Sequence, residues 1–206
     1  MIKNTFLLLI LLLNTLFAAN AWAKASILLL GDSLSASYGM KQNQGWAHLL
    51  NQELEAQEKP YTIVNASISG ETTGGGLSRL PGILSKQKVD YLIIELGGND
   101  GLRGFPPNLI KNNLLQMIDL ANAAKVPVFL MNIRIPPNYG PRYNKMFGDV
   151  FAQVAEEKQV QLLPFFIESV AVKSELMQAD GIHPTVEAQP LIVDIMKDQL
   201  AEIIPH

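Results

Sequence analysis

The sequence predicts an α/β domain built on a parallel sheet with helices on both faces, and three observations carry that prediction. Short, unbroken apolar runs recur along the chain, as strands buried on both faces require. Between them lie segments with apolar residues at helical spacing. Several of the runs break into glycine and small polar residues at their carboxyl ends, the edge where open α/β sheets collect ligands.

Taken in order, the first strand is Ile27 to Leu30, breaking at Gly31-Asp32-Ser33-Leu34-Ser35. A helix over 44–59 follows, with Trp46, Leu49, Leu50 and Leu54 on one face, and Pro60 ends it. Tyr61 to Val64 is a short strand leading into Asn65-Ala66-Ser67-Ile68-Ser69-Gly70. The next helix covers about 77–87; the run Gly74-Gly75-Gly76 before it is poor helix-forming sequence and leaves its start open. Val89 to Leu96 is a strand that breaks at Gly97-Gly98-Asn99-Asp100-Gly101. A helix over 108–125 offers Leu109, Leu114, Leu115, Ile118 and Ala121 to a core. A strand over 126–133, a proline-rich loop over 134–141, a helix over 143–158 and a strand over 160–163 complete the alternation. A polar turn, Gln178 to Pro184, precedes a last helix over 186–203. Five strands fit a flavodoxin-like sheet, although strand order does not follow from pattern alone. No repeat, low-complexity segment or linker divides residues 24–206, so one domain is expected.

Residues 1–23 read as a signal peptide: Lys3, an apolar stretch from Phe6 to Leu13, and Ala21-Trp22-Ala23 as a small-x-small cleavage site. Asn14-Thr15 interrupt the stretch short of the roughly 18 residues of a membrane span, and an uncleaved anchor is the alternative. The expectation is an exported chain, periplasmic or secreted, with no stable membrane insertion after cleavage. Net charge is −3, and −4 without Lys3; with no dense Lys/Arg run, nothing supports a nucleic-acid partner. The absence of cysteine excludes disulfides, lipoprotein acylation, a thiol nucleophile and thiolate metal sites.

A serine at the carboxyl end of a buried strand is placed to act as a nucleophile, and Ser33 is the candidate. The competing reading is that Asp32 or Ser33 caps the next helix. A nucleophilic serine needs a base, an orienter for the base and donors for an oxyanion. The chain has three histidines. His48 lies within a helix, His206 is terminal, and His183 follows Asp180 by three positions in a Gly- and Pro-containing turn, where the carboxylate can reach Nδ1–H. A plain surface turn is the alternative there. For the oxyanion, Gly70 allows close backbone approach, Asn99 offers a side-chain amide, and Ser33 offers its own N–H; Gly70 and Asn99 taken singly also read as turn residues. A Gly-x-Ser-x-Gly elbow, a P-loop, a Gly-x-Gly-x-x-Gly run and His-Glu-x-x-His are all absent, so no metal or cofactor is expected.

Gly31-Asp32-Ser33-Leu34, Gly70, Gly97-Gly98-Asn99-Asp100 and Asp180-Gly181-Ile182-His183-Pro184 resemble the four blocks of the SGNH (GDSL) hydrolase family. The stretches 65–72, 95–104 and 163–166 resemble its exported bacterial thioesterase, lysophospholipase and arylesterase group. The resemblance spans essentially all of residues 24–206. It implies a three-layer α/β/α sandwich and cofactor-free hydrolysis of acyl esters and thioesters. It further implies Ser33 as nucleophile, His183 as base, Asp180 as its partner, and Ser33, Gly70 and Asn99 as oxyanion donors. Ser37 stands where relatives often have glycine and Glu71 where many have aspartate, which bears on the pocket rim.

Substrate contacts are expected from two apolar loops, with Leu102 and Phe105 in one and Ile135 and Tyr139 in the other; ordinary loop packing is the alternative. The expected partner is a small-molecule acyl ester, thioester or lysophospholipid, bound by a monomer. A carbohydrate O-acetyl esterase of the same fold and a non-catalytic flavodoxin-like binding protein are the competing functions.

Overall fold

The computed structural model describes residues 24–204. The signal-peptide expectation for residues 1–23 and the position of His206 lie outside the described residues.

Five strands form one parallel sheet: β1 (Ala25–Gly31), β2 (Tyr61–Asn65), β3 (Tyr91–Glu95), β4 (Val128–Met131) and β5 (Gln161–Leu163). Their order is β2-β1-β3-β4-β5, the flavodoxin-like arrangement. In β1 the side chains of Ile27 to Leu30 are at most 1% exposed, and Leu92, Ile93 and Ile94 of β3 are fully buried. Both faces of these strands are covered, which is why their sequences are continuous apolar runs rather than alternating ones. The main helices are α1 (Trp46–Ala56), α2 (Thr73–Lys86), α3 (Gly98–Leu102), α4 (Pro107–Ala123), α5 (Pro141–Lys158), α6 (Glu168–Ala171) and α7 (Gln189–Ile203). α1 packs against α7, while α4 packs between α2 and α5, giving one helical layer on each face of the sheet.

Two differences from the sequence reading have physical causes, and one competing alternative falls away. First, α2 starts at Thr73, ahead of its glycines. The Thr72 side chain caps it by accepting from the Gly75 N–H at 3.2 Å, and buried Asp100 accepts from the Thr73 N–H and hydroxyl at 2.9 and 2.6 Å. Gly76 is a packing requirement, because a Cβ there would collide with Leu96 on the sheet. Second, the buried face of α4 is Ile110, Leu114, Met117, Ile118 and Ala121, whereas Leu109 is 43% exposed. One residue turns a helix by about 100°, so Leu109 cannot share the Ile110 face. Third, neither Asp32 nor Ser33 caps a helix. Residues 33–39 form turns, and α1 begins only at Trp46 with Gly45 as its N-cap.

Parallel pairing brings the chemistry-bearing breaks to one edge. Gly31 pairs with Glu95, and Leu29 with Asn65, so the segments after β1, β2 and β3 emerge side by side. The Ile68 N–H donates to the Gly31 carbonyl at 3.1 Å, and the Asn65 side chain donates to the Ser35 carbonyl at 2.8 Å. These bonds draw the segment carrying Gly70 against the turn carrying Ser33.

Candidate active site

Ser33 sits on a tight turn that its neighbour holds in shape. Asp32 is buried, its carboxylate accepts from the Leu34 N–H at 3.0 Å, and its carbonyl accepts from the N–H groups of Ser35 and Ala36. Gly31 lets this turn form, because a Cβ there would run into Glu95 Oε2 and lie 2.7 Å from Ser67 Oγ. Glu95 Oε2 accepts from Ser35 Oγ at 2.7 Å and from the Asp32 N–H at 3.3 Å, while Oε1 has no partner.

His183 arrives on a turn far along the chain. The Gln178 N–H donates to the His183 carbonyl at 2.7 Å and the Thr185 N–H to the Leu176 carbonyl at 2.8 Å, closing the turn at its base. Within it, Asp180 Oδ1 accepts from the backbone N–H groups of Ile182 and His183 at 2.9 and 3.0 Å. Asp180 Oδ2 lies 2.7 Å from His183 Nδ1, and His183 Nε2 lies 2.8 Å from Ser33 Oγ. The chain thus brings residues 150 positions apart into hydrogen-bonding contact.

Electrostatics assign the proton positions. Burial is the largest single influence on the Asp180 carboxyl and raises its pKa. The hydrogen bonds from the His183 ring and the two backbone N–H groups together outweigh it and bring the value down to about 2. Asp180 is therefore a carboxylate at neutral pH and can only accept, so His183 carries its proton on Nδ1. Nε2 is left as an acceptor, and Ser33 donates its hydroxyl to it.

Asn99 lies in the first turn of α3, with Nδ2 donating to Asp32 Oδ2 at 3.1 Å. That bond uses one amide hydrogen and leaves the second for the cavity that Asn99 and Ser33 both line. Gly70 has φ of +79°, a backbone conformation that strains any other residue, and its carbonyl accepts from Arg103 Nη2 at 3.1 Å. Asp32 and Glu95 form a buried acidic pair beneath the site. Desolvation dominates both: it raises Asp32 to about 6, against the pull of the Leu34 N–H, His183 and Asn99. It pushes Glu95 well above the carboxylate range, with the charge of Asp32 adding to it. The partnerless Oε1 of Glu95 is a natural seat for a retained proton.

A cavity of about 360 Å³ opens beside Ser33, within the usual ~300–1,000 Å³ of small-molecule sites. Leu102 and Ile135 line it; Phe105 and Tyr139 do not, which corrects the sequence reading. Tyr139 instead uses its hydroxyl to tether the Leu102 carbonyl at 2.9 Å, and the Phe105 carbonyl is held by the Tyr143 hydroxyl at 2.7 Å. Phe105 follows Gly104, whose φ of +68° reverses the chain after α3. Further apolar wall comes from Ile133, Phe165, Ile167, Val172, Met177 and Ile182, which the sequence reading missed. Their sequence signal is position alone: Ile133 lies just past β4, and the others lie near α6 or at the His183 turn. Among the described residues no group of three or more His, Cys, Asp or Glu is placed to hold a metal ion.

The fold and this edge of the sheet define the class: a hydrolase of the SGNH type, on a flavodoxin-like parallel sheet. The model of the GDSL-like lipase/acylhydrolase family matches residues 29–190, and the chain belongs to that family. It is 48% identical over 195 residues to an arylesterase of Vibrio mimicus, covering 95% of this chain and 98% of that one. It is 45% identical to the thioesterase 1/protease 1/lysophospholipase L1 of Escherichia coli K12, covering 93% and 90%. The crystal structure of the psychrotrophic esterase EstA from Pseudoalteromonas, inhibited by monoethylphosphonate, superposes with a TM-score of 0.85 at 47% identity, covering 87% of this chain and 98% of that one.

Proposed function

We propose that this chain hydrolyses fatty-acyl esters, lysophospholipids, aryl esters and acyl thioesters through an acyl-serine intermediate, with Ser33 as nucleophile. The observation that carries this reading is the unbroken relay from Asp180 Oδ2 through His183 to Ser33 Oγ, at 2.7 and 2.8 Å, beside an apolar cavity. As Ser33 Oγ attacks the acyl carbonyl, its proton passes to His183 Nε2 and the imidazolium forms against the Asp180 carboxylate. The carbonyl oxygen becomes an oxyanion, with the N–H groups of Ser33 and Gly70 and the Asn99 amide as its donors. His183 returns the proton to the leaving oxygen or sulfur as the tetrahedral species collapses. Water then gives a proton to His183 as its oxygen bonds to the acyl carbon. The second tetrahedral species collapses by breaking the bond to Ser33 Oγ, which takes that proton back from His183 as the acid leaves. No cofactor enters this sequence.

The cavity supports a fatty-acyl group over acetate alone, because an acetyl group would leave most of that apolar wall uncovered. All the groups named come from one chain, which supports a monomer as the working unit. The N-terminal pattern supports export, and among the described residues no helix is long and apolar enough to cross a membrane. In an exported setting, lysophospholipids and free short-chain esters are the accessible substrates. Labelling with a fluorophosphonate tests the reading: the wild-type protein is expected to form one adduct at Ser33, and Ser33→Ala none. An adduct persisting in Ser33→Ala, or turnover of p-nitrophenyl octanoate by that variant, refutes it. A higher kcat/KM on the octanoate than on p-nitrophenyl acetate is the expected mark of the fatty-acyl pocket.

A further inference from the structure

The two hydrogen bonds of His183 fix its ring within its own plane but leave both faces free. One face is covered. The ring of Tyr38 stacks on it, with centroids 4.1 Å apart and planes inclined by 29°. Tyr38 is itself 46% exposed, and it does not line the acyl cavity, so neither core packing nor acyl binding accounts for its place.

The backbone around Tyr38 is built to hold that ring in position. Ser37 has φ of +60°, a left-handed conformation in a residue that is not glycine, and it turns the chain just before Tyr38. Gly45 makes room for this turn, since a Cβ there would collide with Ser37 Oγ. Gln178 then fastens the Tyr38 segment to the histidine turn. Its Nε2 donates to the Tyr38 carbonyl and to the Pro184 carbonyl, both at 3.0 Å, and its backbone N–H donates to the His183 carbonyl. Gly39 lies so close to Gln178 that a Cβ there would press on the amide, at 2.5 Å from Oε1. One glutamine thus bridges the residue that stacks and the residue that is stacked upon.

We propose that Tyr38 is a positioning residue for His183, its ring face supporting the imidazolium as that ring delivers its proton to the leaving group. The inference builds on the reading of Ser33 and His183 as nucleophile and base. An imidazolium over an aromatic face gains cation–π attraction, which a neutral imidazole does not, so the contact strengthens as the proton moves from Ser33 to Nε2. The Asp180 carboxylate holds one edge of the ring, and the face of Tyr38 supplies the second support for a charge that lies close to solvent. The contribution is largest where His183 must deliver its proton to a poor leaving group. An alkoxide needs that proton in order to depart, whereas p-nitrophenolate departs without it.

The test compares wild type, Tyr38→Leu, Tyr38→Phe and Tyr38→Trp on methyl butyrate and p-nitrophenyl butyrate, which carry the same acyl group. Tyr38→Leu is expected to lose about tenfold in kcat/KM on the methyl ester and about threefold on the p-nitrophenyl ester. Tyr38→Phe and Tyr38→Trp restore most of that loss, because they keep the ring face. Equal losses on both esters, or a Phe variant as impaired as the Leu variant, overturn the proposal. Thermal melts of each variant separate altered folding from altered proton delivery, and the Phe and Trp pair decides the matter even where Leu unfolds. Ser33→Ala in the same assay separates the two levels. If it keeps wild-type turnover, the nucleophile reading fails; if it is inactive while Tyr38→Leu matches wild type, only the role of Tyr38 fails.

Discussion

Asp32→Asn is expected to make the protein more stable at neutral pH and less active. Asp32 is 2% exposed, and burial raises its carboxyl from the ordinary 3.8 to about 6. With a tenfold ratio equal to about 1.4 kcal/mol, holding that charge in the fold at pH 7.5 costs about 3 kcal/mol. The folded pKa lies above the unfolded one, so this group favours the fold most below about 4 and loses its contribution as pH rises through about 6. Asparagine removes the titration. It keeps an oxygen for the Leu34 N–H but turns an amide toward Asn99 Nδ2, which can no longer donate to it. Removing that bond costs about 1 kcal/mol, leaving a net gain of about 2 kcal/mol at pH 7.5. Burial raises Glu95 in both proteins, so that influence cancels in the comparison. Urea unfolding of both proteins at pH 4.5 and 7.5 gives the decisive quantity. The advantage of Asp32→Asn should grow by about 2 kcal/mol between the two values, the linkage expected of a carboxyl moving from 3.8 to about 6. Activity should move the other way, because Asn99 loses the acceptor that aims it; full loss of an oxyanion donor, about 10²–10³ in kcat, is the upper bound. Parallel stability curves for the two proteins across this pH range would refute the burial argument. An Asp32→Asn variant with wild-type kcat would refute the role given to the Asn99 bond.

Two further outcomes follow from the same geometry. Leu102→Ser should lower the octanoate-to-acetate ratio of kcat/KM by about tenfold, the scale of removing one apolar side chain from a pocket wall, while Phe105→Ser should leave the ratio unchanged; measuring both variants checks the assignment of the cavity wall. Gly70→Ala should cost about 1–2 kcal/mol of stability for alanine at positive φ and lower kcat at least tenfold through a displaced N–H. Unchanged turnover, with the melting shift alone, would remove Gly70 from the oxyanion site.

Much of the architecture is legible in the sequence because burial leaves a one-dimensional trace. Ile27–Leu30 and Leu92–Ile94 are fully covered by helices, and their unbroken apolar sequences announce it. The start of the helix over Thr73–Lys86 is hidden from a local reading, because Gly76 answers to Leu96 and its first residue to Asp100. Leu109 reads as core on hydrophobicity, although its phase on α4 sets it outside. At the site, Ser33, His183 and Asp180 stand out as residue types able to act together, and the structure brings them within hydrogen-bonding distance. The acyl wall is only half visible. Leu102 and Ile135 are indistinguishable in sequence from Phe105 and Tyr139, since apolar loop residues look alike until backbone turns such as Gly104 decide which of them reach the cavity.

The sequence by itself determined the strand-and-helix alternation, the residue types available for chemistry, and the family resemblance carried by four short blocks. Tertiary structure alone decided that the Asp32 carboxylate aims Asn99, that Glu95 sits buried beneath it, and that Tyr38 lies across the face of His183. The physical reason is one of range. Hydrophobic periodicity is set by each element's own burial and can be read locally. The protonation of a carboxyl and the covering of an imidazole face depend on which distant segments the sheet order brings to the same edge.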